Sequence, residues 1–393
     1  MVIGGRLVKK RLIALMVIIT VILIFVVYDI FKKETQQLSE DNNISNSQLS
    51  ELAENTNGNN SLEYTSKDEE KINETQEIWE WQKDTPESQD VDSSVLNNLH
   101  NTYENNSPVL ASCIVRNEVI IDEYYKDRYD ETSVFAMNST SKSITSATFG
   151  IALDKGYIDG TDTLILEYFP EILTSGSEYR NRITIWNLLT QTSGINYTDD
   201  SNWLEWRTSE NWVDYILNLP VTAEPGTTFR YSTGNTHLLS AIVGQATGTK
   251  LYEFGKEYLF DKVGMNSVVC ETDAQGISDG GNGFSMNIYD MLKFGQLYLN
   301  KGVWEGEQII SSEWIEESTS VQFERSSGTA DYGYQWWVRT FQGYDAYFSQ
   351  GHYGQFIFVI PELNLVIAFT SYNTTGNSSM YWEYVNNIVS ACI

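Results

Sequence analysis

Two pairs of short apolar runs, lying far apart in the chain, limit its architecture more than any other feature. Val109-Leu110-Ala111-Ser112-Cys113-Ile114-Val115 and Val119-Ile120-Ile121-Asp122-Glu123-Tyr124-Tyr125 are strand-like and joined by Arg116-Asn117-Glu118, a hairpin pattern. Phe356–Ile360 and Leu365–Phe369 repeat that pattern around Pro361-Glu362-Leu363-Asn364. Between the pairs, roughly residues 155–310 are helical patches broken by Gly and Pro, and the stretch from about Tyr381 is a final helix. Strands from distant sequence with helices between predict one α/β (α+β) unit: an antiparallel sheet flanked by helices, with an all-helical insertion. No internal repeat is present.

The N-terminal part obeys different rules. Leu12 to Tyr28 is a run of 17 residues without a charge, preceded by Arg6, Lys9, Lys10 and Arg11 and followed by Lys32 and Lys33. It is apolar on all faces and no small-x-small cleavage site follows, so it is expected to be an uncleaved transmembrane signal anchor over 12–28. The basic residues of 1–11 assign that end to the cytoplasm and the remainder to the outside of the cell membrane. Residues 29–75 are an acidic, aliphatic-poor tether, and 34–92 carry 16 acidic residues against three lysines. The folded domain is expected over 76–393. A formal charge of −28 argues against a nucleic-acid partner. Cys113, Cys270 and Cys392 fit no metal motif, and His100, His237 and His352 fit no zinc pattern, so neither metal nor cofactor is expected.

Chemistry enters at Asn138-Ser139-Thr140-Ser141-Lys142-Ser143, a polar turn opening a helix that Asp154-Lys155-Gly156 stops. At i and i+3, Ser139 and Lys142 share one helix face. A desolvated lysine amine there can take the serine proton and make the hydroxyl a nucleophile. Taken alone, Ser-x-x-Lys is better read as an N-capping serine with a solvated lysine, since so short a motif recurs by chance.

Two further landmarks follow in order. Phe229-Arg230-Tyr231-Ser232-Thr233-Gly234-Asn235 leads into the helix-like Leu238–Gly244, and Gly351-His352-Tyr353-Gly354-Gln355 leads directly into a strand. Together with Ser139-Thr140-Ser141-Lys142 they resemble the serine β-lactamase and penicillin-binding-protein superfamily. Within it the chain looks most like class C-type relatives, especially esterases and the 6-aminohexanoate-dimer hydrolase branch. Gly156-Tyr157-Ile158-Asp159, Ile183–Gly194, Met291–Leu297 and Tyr332–Trp337 have the same look, so the resemblance spans roughly 76–393.

The resemblance implies a β-lactamase/transpeptidase-like fold and an acyl-enzyme mechanism. Ser139 would be the nucleophile, Lys142 its base and Tyr231 the proton shuttle. The Ser139 and Gln355 N–H groups would form the oxyanion hole, with Gly354 letting the strand edge come close. His352 stands at the family's lysine position and Thr233 where many relatives have Asn, which tilts the expected substrate from a β-lactam toward an ester, small amide or peptide. Tyr197 would line the cleft; Trp203, Trp206, Trp336 and Trp337 would be core or cleft wall, and Asp199-Asp200 a solvated turn. Rival expectations are a D-amino-acid peptidase or β-lactamase near the cell wall, and a non-catalytic, acylated sensor or binding protein.

Overall fold

The structure is a computed structural model that describes residues 80–170, 178–326 and 330–392. The expected cytoplasmic tail (1–11), anchor (12–28) and tether (29–75) lie outside the described residues. Among the described residues no helix is long and apolar enough to cross a membrane.

Three of the four runs that read as strands are buried on both faces, which is why they appear as near-continuous apolar stretches, while Val119–Tyr125 is only half buried. They belong to an eight-stranded sheet. Its order is Gln82–Lys83, Val119–Tyr125, Val109–Arg116, Leu365–Ser371, Gln355–Ile360, Tyr344–Gly351, Trp337–Phe341, Asp331–Tyr332. Only the first pair is parallel. Both expected hairpins form, and the two ends of the chain meet where Leu365–Ser371 pairs with Val109–Arg116, Ile367 opposite Ile114.

The period of two along a strand sends alternate side chains into two cores. Phe356, Phe358 and Ile360 pack under the Ser93–Asn106 and Ser379–Ala391 helices. Ile357 and Val359 face the opposite core, shared with the Ser141–Asp154, Thr233–Thr247 and Ile288–Leu299 helices. A side chain buried this way is worth roughly 2 kcal/mol relative to exposure. The region between the hairpins is mainly helical and also holds two small sheets, of three and two strands.

One hairpin was not read from the sequence. Trp337–Phe341 and Tyr344–Gly351 join through Gln342-Gly343, both at positive φ (50° and 92°), which suits a tight two-residue hairpin turn. Its strands carry Arg339, Thr340 and Asp345 among their aromatics, so no apolar run announces them.

Candidate active site

The Ser141–Asp154 helix is buried from Ser141 to Ala152, threading the middle of the molecule. Ser139 lies in the Asn138–Thr140 3-10 turn that opens it. Asn138 holds that turn in a left-handed conformation (φ 49°) and donates from Nδ2 to the His352 carbonyl at 3.1 Å. The Thr140 hydroxyl donates to the Gln355 carbonyl at 3.2 Å, so the turn is fixed against the start of a sheet strand.

Lys142 is buried, and its Nζ donates to Ser139 Oγ, Thr233 Oγ1 and the Gly281 carbonyl, each at 2.9 Å. Burial pushes its pKa down to about 8, against the opposing pull of Asp199 and Asp279. Ser139 Oγ in turn donates to Asn282 Oδ1 at 3.2 Å. Thr233 begins its helix behind Ser232, whose hydroxyl caps the Asn235 N–H. Tyr231, just before, presents its ring 5.0 Å from Lys142 Nζ and stacks on Trp337. Burial, aided by Asp199, holds the Tyr231 phenol above its usual range, although its contact with Ser139 pulls the other way. Of the two groups beside the serine, then, the lysine is the one poised to lose a proton near neutrality.

These residues open onto a cleft of about 890 Å³ whose walls include Trp203, Trp337, Tyr353 and Tyr381. The chain sends Ser139, Tyr231, His352 and Gly354 to it. His352 stands at its exposed rim against the Tyr353 ring. Gly354 has φ 92°, and a Cβ there would run into the Tyr381 hydroxyl, so packing as well as access demands glycine. Gln355 is buried, with Nε2 donating to the Ser371 carbonyl at 2.8 Å.

Two expectations are corrected. Tyr197 does not line the cleft: it is fully buried, edge-on to Trp206, and burial followed by the nearby Asp199 carboxylate raises its phenol pKa. Asp199 is no solvated turn: its carboxylate accepts from both the N–H (3.1 Å) and the hydroxyl (2.8 Å) of Thr233. Asp200 beside it is exposed. The tryptophans divide, Trp206 and Trp336 in the core and Trp203 and Trp337 on the cleft wall.

Gly281 and Asn282 were missed altogether. Their signal was the run Gly280-Gly281-Asn282-Gly283, where glycines allow backbone to approach side chains closely. A Cβ on Gly281 would collide with the Thr233 methyl, so only glycine brings that carbonyl to Lys142.

A sheet of this topology, with a buried lysine one turn after a serine and a Tyr-x-Thr element beside them, defines the β-lactamase/transpeptidase-like class of serine hydrolases. Comparison with known proteins agrees. The pattern of the Beta-lactamase family matches residues 103–383, and the chain belongs to that family. It is 25% identical over 252 residues to a 6-aminohexanoate-dimer hydrolase of Paenarthrobacter ureafaciens, the match covering 58% of this chain and 63% of that relative. The chain therefore spans less than two thirds of that relative's length. In fold it is similar to a Bacillus anthracis protein assigned as 6-aminohexanoate-dimer hydrolase, with a TM-score of 0.69 at 23% identity, covering 80% of this chain and 87% of that one. It is also similar to the octameric penicillin-binding protein homologue from Pyrococcus abyssi, with a TM-score of 0.61 at 18% identity, covering 74% and 75%.

Proposed function

We propose that this protein is a serine hydrolase that cleaves an ester, small amide or peptide through an acyl-enzyme on Ser139. The observation that carries the reading is the 2.9 Å contact between Ser139 Oγ and the amine of buried Lys142, whose pKa is pushed down to about 8. With a pKa of about 8, roughly a tenth of that amine is neutral at pH 7 and about half at pH 8, the state a general base requires.

In the proposed reaction Ser139 Oγ attacks the substrate carbonyl carbon as its proton passes to Lys142 Nζ. The bond to the leaving group breaks as that group takes a proton from the Tyr231 hydroxyl, and Lys142 returns one to Tyr231. Water then attacks the acyl ester by the same route in reverse. The raised pKa of Tyr231 suits it to act as a phenol rather than a phenolate. The Ser139 and Gln355 N–H groups are the oxyanion donors, which the Thr140–Gln355 bond would hold together. Thr233 and His352, in place of asparagine and lysine, favour esters and small amides over β-lactams; the hydrolase relative named for a short amide supports that choice.

The test is intact-mass labelling of the full chain with a fluorophosphonate. One adduct, absent in Ser139→Ala, is expected. No adduct on a folded chain would sink the hydrolase reading in favour of a binding protein.

The same reading holds the enzyme at the cell membrane through 12–28, with 1–11 cytoplasmic and the catalytic unit outside on the 29–75 tether. Its support is the apolar run with basic residues on its N-terminal side. Protease added to intact cells should cut the tether and release the catalytic unit. Cutting only after lysis would refute the orientation.

A further inference from the structure

Lys142 works as a base only if its lone pair is free to face Ser139, and the hydrogen bonds around it decide whether that is so. A neutral amine has two N–H donors and one lone pair. Gly281 offers a carbonyl at 2.9 Å, which can only accept, so it takes one N–H. Thr233 Oγ1, also at 2.9 Å, is ambiguous: a hydroxyl can accept the second N–H or donate its own proton to the lone pair. In the second arrangement the lone pair is consumed and Ser139 loses its base.

Asp199 removes the ambiguity. It sits in the first turn of the Asp199–Arg207 helix, on the cleft, with both carboxylate oxygens on Thr233. Oδ1 accepts the Thr233 N–H at 3.1 Å and Oδ2 the Thr233 hydroxyl at 2.8 Å. A carboxylate only accepts, so the Thr233 proton points away from Lys142 and the Thr233 oxygen must accept from it. Asn282 supplies the alternative for the serine: when Lys142 is charged and donates to Ser139 Oγ, the serine proton rests on Asn282 Oδ1.

We infer that Asp199 is a positioning residue that, through Thr233, reserves the Lys142 lone pair for the Ser139 proton. The inference rests on the acyl-enzyme reading. It assigns a purpose to Thr233, whose hydroxyl is both the acceptor for Lys142 and the handle for Asp199. The titratable groups facing Lys142 are Asp199, Asp279 and Tyr231, and Asp279 is already paired with Arg207.

Asp199→Asn makes the logic testable. The Thr233 N–H can only donate, so the new amide must turn its oxygen to it and its NH2 to the Thr233 oxygen. The Thr233 proton then loses its carboxylate acceptor and is free to turn to the Lys142 lone pair beside it. Removing the hydroxyl as well, in Asp199→Asn/Thr233→Val, abolishes that diversion.

The experiment is the rate of fluorophosphonate labelling of Ser139 against pH, on the full chain, with thermal melting as a check on folding. Asp199→Asn should label roughly tenfold or more slowly on its plateau. Its acid limb should also move to lower pH, since a negative charge that favours the lysine cation is gone. Asp199→Asn/Thr233→Val should recover part of the lost rate, whereas Asp199→Asn/Thr233→Ser, which keeps the hydroxyl, should stay slow. A merely structural Asp199 would make the two substitutions additive, while the limb would still move, because the carboxylate charge acts on Lys142 in either case. An Asp199→Asn plateau rate equal to the parent's, or a Thr233→Val double variant slower than Asp199→Asn, overturns the inference. Failure of the parent chain to label at Ser139 would instead refute the acyl-enzyme reading beneath it.

Discussion

The carbonyl oxygen of Gly281 lies 2.9 Å from Lys142 Nζ, although the two residues are 139 positions apart. Nothing but hydrogen could occupy the Cβ position there without striking the Thr233 methyl. Gly281→Ala must therefore push the carbonyl or Thr233 away, leaving a buried amine N–H without its acceptor. We expect labelling of Ser139 to slow by roughly tenfold with melting only modestly lowered, since the strain is confined to one loop. Labelling at the parent rate would show that the carbonyl contact does not orient Lys142.

The pH dependence follows from the two shifts beside the serine. Lys142 is pushed down to about 8 and Tyr231 is pushed up beyond its usual range. The labelling rate should rise with pH through a single limb centred near 8, with no fall until strongly alkaline solution. Stability should obey the same linkage. The unfolded chain binds the Lys142 proton more tightly than the folded one, so charging the lysine destabilises the fold fully below about pH 8 and less above it. Lys142→Met should thus label at a rate lower by at least about a hundredfold yet melt higher than the parent at pH 6. That gain should shrink between pH 8 and the ordinary lysine range. A constant melting difference across those pH values would show that Lys142 is not desolvated.

The pair His237–Asp273 makes a separate claim about stability. Both side chains are fully buried at 3.0 Å, and the imidazole packs against Trp206 and Trp212. Burial works to raise the Asp273 pKa, but the His237 bond and the Gln275 and Ile277 N–H groups prevail and lower it. Asp273→Ala, leaving the imidazole alone, should cost on the order of 3 kcal/mol in chemical denaturation. The depressed carboxyl contributes stability above its unfolded pKa, and this is lost as pH falls through the lower folded value. A parent and variant that converge only in strongly acid solution would match this, whereas equal stability at pH 7 would contradict it.

What could be read from the chain was what is local or buried on both sides. Ser139 and Lys142 are one helical turn apart, so their meeting is dictated by helix geometry. Phe356–Ile360 and Leu365–Phe369 announce themselves because both faces are covered. Asp199 reads as a solvated turn because its meaning depends on a partner 34 residues away, and an Asp-Asp pair after a turn looks the same whether or not one member turns inward. Tyr197 was misplaced for the converse reason: its distance from the motif is fixed by the sequence, but which way the ring faces is set by Trp206. Gly281 and Asn282 belong to a loop whose glycines carry no chemistry of their own until Thr233 and Lys142 are packed against them.

Asn138 separates backbone from side chain in holding Ser139. Its φ of 49° costs an ordinary residue on the order of 1–2 kcal/mol, while its amide bonds the His352 carbonyl at 3.1 Å. Asn138→Gly removes the amide and keeps the left-handed conformation accessible, whereas Asn138→Ala loses both. If the conformation sets the angle at which Ser139 enters the helix, the glycine variant should label within a few-fold of the parent. The alanine variant should then label at least about tenfold more slowly and melt lower. Equal losses in the two would assign the effect to the amide bond between the turn and the His352 loop. In either case the comparison isolates how the left-handed residue before the serine presents Oγ to Lys142, because neither substitution touches a group within bonding distance of the amine.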